Sequence, residues 1–80
     1  MKHTQYFAHR MKGEDRKTIR FEWIERTMAA PDRSERQDDG RYRLWKYIPE
    51  ADKFLRVIVL AYSETVHNAF FDRSFKEEPK

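Results

Sequence analysis

Two histidines and a handful of arginines are the side chains in this 80-residue sequence whose types suit chemistry. Cleaving RNA without a metal takes a group to accept the 2′-hydroxyl proton, a group to protonate the leaving oxygen, and cations to stabilise the charge of the phosphorane. His67 fits the acid or base role, His9 is a second candidate from the N-terminal segment, and Arg56 and Arg73 fit the clamp. Each also has an ordinary structural reading, since a lone strand histidine is commonly a hydrogen-bonded or surface residue and arginines pair with carboxylates such as Glu64 or Asp72. Other chemistries lack their residues. His3, His9 and His67 make no HxxxH or HExxH pattern, no glycine-rich phosphate loop occurs, and Ser34, Ser63 and Ser74 sit in no nucleophile setting. The absence of cysteine excludes disulfides, thiolate zinc sites and a thiol nucleophile. No metal or cofactor is implied.

Charge directs attention to the middle of the chain. Lys and Arg number 17 against 14 Asp and Glu, a net +3. Between Arg41 and Tyr62 the bases Arg41, Arg43, Lys46, Lys53 and Arg56 face only Glu50 and Asp52, so this stretch carries as large an excess as the whole chain. Tyr42, Trp45 and Tyr47 are interleaved there. Arginine and lysine beside aromatic rings suit a nucleic acid, which offers phosphates and stacking faces; Arg43, Lys46, Trp45 and Tyr47 are the candidate contacts. An exposed strand face bearing solvated cations is the plainer alternative.

Elements must exist to position these residues. Hydrophobic and charged residues each make up 39% and the mean hydropathy is −1.05, yet six Phe, four Tyr and two Trp are more aromatics than disordered chains carry. One domain over 1–80 is expected. No apolar run approaches a membrane span or a signal peptide, which predicts a soluble, cytoplasmic protein. Residues 1–13 form an N-terminal segment, with a short helix from Thr4 to Lys12. A helix over 19–30 carries Phe21, Ile24 and Met28 on one stripe, with Glu22 at its start, Pro31 at its end and Ile19 as a hydrophobic staple. An antiparallel meander fills 32–73: a polar edge strand to Gln37, the Asp38-Asp39-Gly40 turn, a strand over Arg41–Ile48, a turn at Pro49–Asp52, a strand over Lys53–Tyr62, a Ser63-Glu64 connection and a strand over Thr65–Asp72. Residues 74–80 read as a frayed tail. The fold class is α+β, one or two N-terminal helices on a three- to four-stranded antiparallel sheet.

A two-residue turn at Ser63-Glu64 pairs Tyr62 with Thr65 and hence Arg56 with Phe71. One sheet face then collects Leu55, Val57, Val59, Val66, Phe70, Tyr42, Leu44 and Ile48 as the seat for the helix. The opposite face collects Arg43, Trp45, Tyr47, Arg56, Ile58, Leu60, His67, Ala69, Phe71 and Arg73. It is too apolar for a solvated face and too basic for a core. Three coverings suit it: the N-terminal segment through Tyr6, Phe7 and Met11, a second protein surface, or RNA.

The order of motifs also carries a resemblance. His9-Arg10-Met11, Asp15-Arg16-Lys17-Thr18-Ile19, a helix closed by Pro31, Gly40-Arg41-Tyr42-Arg43-Leu44-Trp45-Lys46-Tyr47-Ile48-Pro49, Leu55-Arg56-Val57-Ile58-Val59 and Thr65-Val66-His67-Asn68-Ala69-Phe70-Phe71-Asp72-Arg73 span nearly the whole chain. It resembles a family of small bacterial proteins frequent in cyanobacteria and phage-like regions, itself similar to a broader domain family linked by fold to RelE-like and BrnT-like toxins. The resemblance implies a RelE-like layout, ribonuclease ancestry and an antitoxin-like partner, with His9, Arg16, Arg56 and Arg73 at matching positions. It adds Arg16 to the nucleic-acid contacts. The expected function is RNA binding or metal-independent endoribonuclease action. The alternative is a non-catalytic interaction module, a homodimer through Trp45, Tyr47, Ile58, Leu60 and Phe71.

Overall fold

A glutamate in the first turn and a proline just past the last turn bracket the main helix of the chain. In the computed structural model, which describes residues 2–14, 16–61 and 65–75, this helix runs over Phe21–Ala29 with Arg20 as N-cap and Ala30 as C-cap. Glu22 lies where the helix dipole favours an anion, and Pro31 has no amide to continue the ladder. A shorter helix over Gln5–Arg10 begins at Thr4, whose hydroxyl accepts the Phe7 amide at 3.0 Å, and ends with His9 and Arg10 in its last turn. We name the elements in chain order: β1 (Lys2–His3), α1 (Gln5–Arg10), α2 (Phe21–Ala29), β2 (Arg33–Arg36), β3 (Tyr42–Ile48), β4 (Lys53–Val59) and β5 (Thr65–Phe71).

The architecture is α+β, with both helices before the main strands. The sheet has five strands in the order β1-β5-β4-β3-β2. The expected antiparallel meander is present as β2 to β5. The additional strand is β1, which pairs parallel to β5 (Lys2 with Thr65, His3 with Val66) and makes the sheet mixed. Two residues cannot hold a strand by propensity, so β1 owes its conformation to the β5 edge it pairs with. The opposite edge, β2, is short and charged (Arg33-Ser34-Glu35-Arg36), a composition that discourages pairing with another chain.

Turn chemistry sets the hairpins. Gln37 and Arg41 close a three-residue loop, and Gly40 at φ +88° takes the left-handed position such loops require. A Cβ there would also lie 3.3 Å from the Ala61 Cβ. The Pro49–Asp52 turn places Asp52 at φ 53°, where Asp is better tolerated than most residues. Tyr42 faces Val59, Trp45 faces Arg56 and Ile48 faces Lys53 across β3 and β4.

The β4–β5 register differs from the expected one by a residue. Leu55 pairs with Phe71, Arg56 with Phe70, Val57 with Ala69 and Ile58 with Asn68; a bulge then brings Val59 opposite Val66 and leaves His67 unpaired. Tyr62, Ser63 and Glu64, where a two-residue turn was expected, lie outside the described residues, as does the tail beyond Phe75. The bulge has a packing cause. Val66 and Ala69 are three residues apart and would point to opposite faces of a regular strand, whereas both are fully buried beneath the helices. The slip moves Ala69 and Phe71 to the helix side and Phe70 to the outer side, the reverse of expectation.

The core lies between the helices and one sheet face. Phe7, Ile19, Trp23, Ile24, Ile48, Leu55, Val57, Val59, Val66 and Ala69 form it, with Met11, Met28, Leu44 and Phe71 at its margin. Helix α1 packs on β5 and α2 across β3 and β4. The buried stripe of α2 is Trp23, Ile24 and Thr27, and Phe21, expected inside, is 55% exposed. Trp23 displaces it by lying against Phe71, with ring centroids 6.2 Å apart, while Phe21 lies beside Phe7 of α1 at 6.3 Å. Thr27 is tolerated in the core because its hydroxyl donates to the Trp23 carbonyl. Among the described residues no helix is long and apolar enough to cross a membrane.

One ion pair ties α2 to the β3–β4 turn. Arg26 donates to both carboxylate oxygens of Glu50 at 3.0 and 2.8 Å, and the Glu50 carboxyl is pushed down to about 2 by that hydrogen bond first. A depressed folded pKa stabilises the fold above the unfolded value near 4.5, and that contribution is lost as pH falls toward 2. Arg26→Ala is expected to flatten the loss of stability across this window, measured by urea unfolding at a series of pH values.

Candidate functional site

Helices cover one face of the sheet. The other face is built from the alternate residues of β2 to β5: Arg33 and Glu35, then Arg43, Trp45 and Tyr47, then Phe54, Arg56 and Ile58, then Asn68 and Phe70. Register places Trp45, Arg56 and Phe70 in one row across three strands. Cations and rings alternate along it. The Arg56 guanidinium carbon is 5.4 Å from the Trp45 ring centroid and 5.2 Å from that of Phe70. Arg43 lies over the other part of Trp45 at 5.9 Å, and Arg16, reaching round from the α1–α2 connection, lies over Phe70 at 5.3 Å. Arg16 is 7% exposed and is held by a 3.1 Å hydrogen bond to the Asn68 side-chain oxygen.

Asp72, the residue after β5, joins this row to the chain that follows it. One carboxylate oxygen accepts the Trp45 indole N–H at 3.1 Å and faces the Arg56 guanidinium at 3.4 Å. The other accepts the Ser74 amide, the Ser74 hydroxyl and the Phe75 amide at 3.0, 2.7 and 3.2 Å. Burial alone would raise the Asp72 carboxyl; the hydrogen bonds from Trp45 and Ser74, with Arg56 beside them, outweigh it and hold the group below its ordinary value. The turn thus fixed lays Phe75 flat on Trp45, centroids 4.7 Å apart and planes 14° apart, with its edge toward Phe54. Trp45 is 4% exposed as a result, on a face no helix touches.

Among the described residues the outer face carries Arg16, Arg33, Arg43 and Arg56 together with Glu35, which takes Arg33 at 2.7 Å and Arg43 at 3.5 Å, and Asp72, which faces Arg56 at 3.4 Å. Tyr47 stands at the margin, 38% exposed, its hydroxyl donating to Asp52 and its ring edge-on to Phe54. No family model, curated protein or solved structure matches the chain.

Arg16, Arg43, Trp45, Tyr47 and Arg56 are therefore brought together. The remaining expected residues are not. His67 was expected beside Arg56 and Phe71; the one-residue slip puts Phe70 opposite Arg56, and the bulge turns His67 to α1, where Nδ1 is 3.1 Å from the Thr4 hydroxyl and the ring stacks on Tyr6 at 4.7 Å. Because that hydroxyl already accepts the Phe7 amide, its own proton is free for Nδ1 of a neutral imidazole. Burial, aided by Arg41, pushes the His67 pKa down in keeping with that. His67 thus serves the cap of α1. His9 is exposed on the last turn of α1, and Arg73 is exposed beyond β5. Lys46 points to the helix side, donating at 2.8 Å to the Ala30 carbonyl that ends α2, with Asp32 at 3.6 Å. The residues sequence reasoning missed are Phe70, Asn68, Phe54 and Phe75. Their assignment needed the register, except Phe75, whose spacing from Asp72 and Ser74 marks a side-chain-capped turn.

Proposed function

We propose that the outer sheet face binds single-stranded RNA and holds it without cutting it. The observation that carries this reading is the row Arg16, Phe70, Arg56, Trp45, Arg43, in which each guanidinium lies on an aromatic ring. A guanidinium laid on a ring has its plane fixed, the partly exposed Arg43 and Arg56 suit phosphate oxygens, and the exposed Tyr47 ring at the margin offers a stacking surface that every base can use. Sheet faces with exposed rings serve single strands in other RNA-binding modules, where helices occupy the opposite face as they do here.

Cleavage does not follow from this arrangement. Among the described residues His67 makes its contacts with Thr4 and Tyr6, away from Arg56, and the carboxylate that does stand beside Arg56, Asp72, is already engaged by Trp45, Ser74 and Phe75. For a homodimer through the same face, Tyr47 is exposed, Trp45 and Ile58 are buried within the monomer, and Phe71 faces the helices.

Fluorescence anisotropy with a labelled single strand of about 12 nucleotides tests the reading. With Arg43 and Arg56 engaging phosphate, log affinity is expected to fall against log salt with a slope of about −1.4. Arg43→Gln should weaken binding a few-fold and make the slope shallower by about 0.7. The labelled strand should remain intact on a denaturing gel. Binding that ignores salt, or an Arg43→Gln variant that binds as wild type does, would contradict the proposal.

A further inference from the structure

Trp45 is the largest ring in the basic row, and Phe75 already occupies its open face. We infer that Trp45 and Arg56 form a nucleotide subsite which the chain's own C-terminal turn fills in the free protein, Phe75 standing where a base would stack and Asp72 standing where a phosphate would sit. The inference rests on the RNA-binding reading and identifies the unit of RNA that this part of the face takes: one base with its phosphate.

The geometry of the turn supports the mimicry at each point. Phe75 lies on the indole at 4.7 Å and 14°, a parallel stack of the kind a nucleobase makes, where side-chain ring pairs also sample tilted arrangements such as Trp23 on Phe71 at 53°. The Asp72 carboxylate meets the Arg56 guanidinium as an anionic oxygen of a nucleotide would. Ring and anion belong to one short segment, joined through the Asp72 hydrogen bonds to the Ser74 and Phe75 amides. Phe75 lies outside the helix-side core, so lifting it uncovers Trp45 without opening that core. Strand entry then exchanges both contacts: Phe75 leaves the indole and a base replaces it, and Asp72 yields the partly exposed Arg56 guanidinium to the phosphate. A subsite closed in most molecules lowers the apparent affinity by the fraction that is open, so removing the cover should tighten binding.

Phe75→Ala is expected to bind the single strand about tenfold more tightly than wild type, the scale of one base–aromatic stack. Ser74→Ala, which removes only the 2.7 Å hydroxyl bond to Asp72, should show a smaller gain in the same direction. In wild type, RNA titration should shift the Trp45 indole N–H and the Phe75 amide together in an NMR spectrum, and the Trp45 indole signal of free Phe75→Ala should already lie toward its RNA-bound position. A Phe75→Ala protein that folds, binds RNA, and binds it no more tightly than wild type overturns the subsite while leaving RNA binding in place. Failure of both wild type and Phe75→Ala to bind overturns both readings. Binding by Phe75→Ala alone supports both.

Discussion

Replacing Asp72 with alanine is expected to lower the unfolding free energy by about 3 kcal/mol, the low end of what removing one partner of a largely buried ion pair costs. The Asp72 side chain is 8% exposed and that of Arg56 is 24% exposed. Taking away the carboxylate leaves the Trp45 indole N–H without its acceptor, leaves Arg56 without its facing charge and frees the Ser74 and Phe75 amides that shape the turn. Asp72→Asn keeps the shape and an acceptor oxygen and loses the charge, so it should cost roughly half as much. Urea unfolding of the two variants beside wild type measures both. A loss under about 0.5 kcal/mol for the alanine variant, the range of ordinary surface changes, would mean that Asp72 organises nothing on this face.

The second large effect lies on the opposite side of the sheet. Phe7→Ala should destabilise the domain by about 3–4 kcal/mol, because Phe7 is 1% exposed and sits in one cluster with Trp23, Ile24 and Val66. The same substitution tests where the N-terminal segment belongs. Were residues 1–13 a cover for the basic face, Phe7→Ala would unmask Trp45. Since α1 packs on β5 from the helix side, the Trp45 indole signal should keep its wild-type position in the folded variant while thermal stability falls.

These two residues mark how far the sequence could be read. The alternating pattern of β3, the apolar run of β4 and the Asp38-Asp39-Gly40 turn are local signals that match local physics, and they located the sheet and the row of Arg43, Trp45 and Arg56. Pro31 and Glu22 bounded α2 for the same reason. The facing of Phe70 and Phe71 was not legible. It depends on a bulge at His67, and the bulge exists because Val66 and Ala69 both find room beneath the helices, a tertiary demand with no local signature. That single slip separated His67, the acid-or-base candidate, from Arg56 of the expected clamp. Strand β1 was hidden for a related reason, as Lys2 and His3 carry no strand pattern and follow the β5 edge. The rotation of α2 that exposes Phe21 and buries Trp23 likewise depends on which ring finds Phe71 beneath it.

The division of labour between the two faces explains how so polar a chain folds. Among the described residues Phe7, Trp23 and Phe71 belong to the helix-side core, whereas Trp45 and Phe70 belong to an outer layer in which guanidiniums lie over the rings. Arginine stems shield apolar surface while their charged ends stay near solvent, so the outer layer contributes burial and still presents cations. Arg43 and Arg56 are the cations that we propose meet RNA.

The most direct test is an amide and indole chemical-shift map of the protein titrated with a single-stranded RNA at low salt. RNA binding at the outer face should concentrate the shifts at Arg43, Trp45, Arg56, Phe70 and Phe75, reversed by added salt, with α1 and α2 signals unmoved. Shifts confined to the helices, or no shifts on the outer face at saturating RNA, would contradict it.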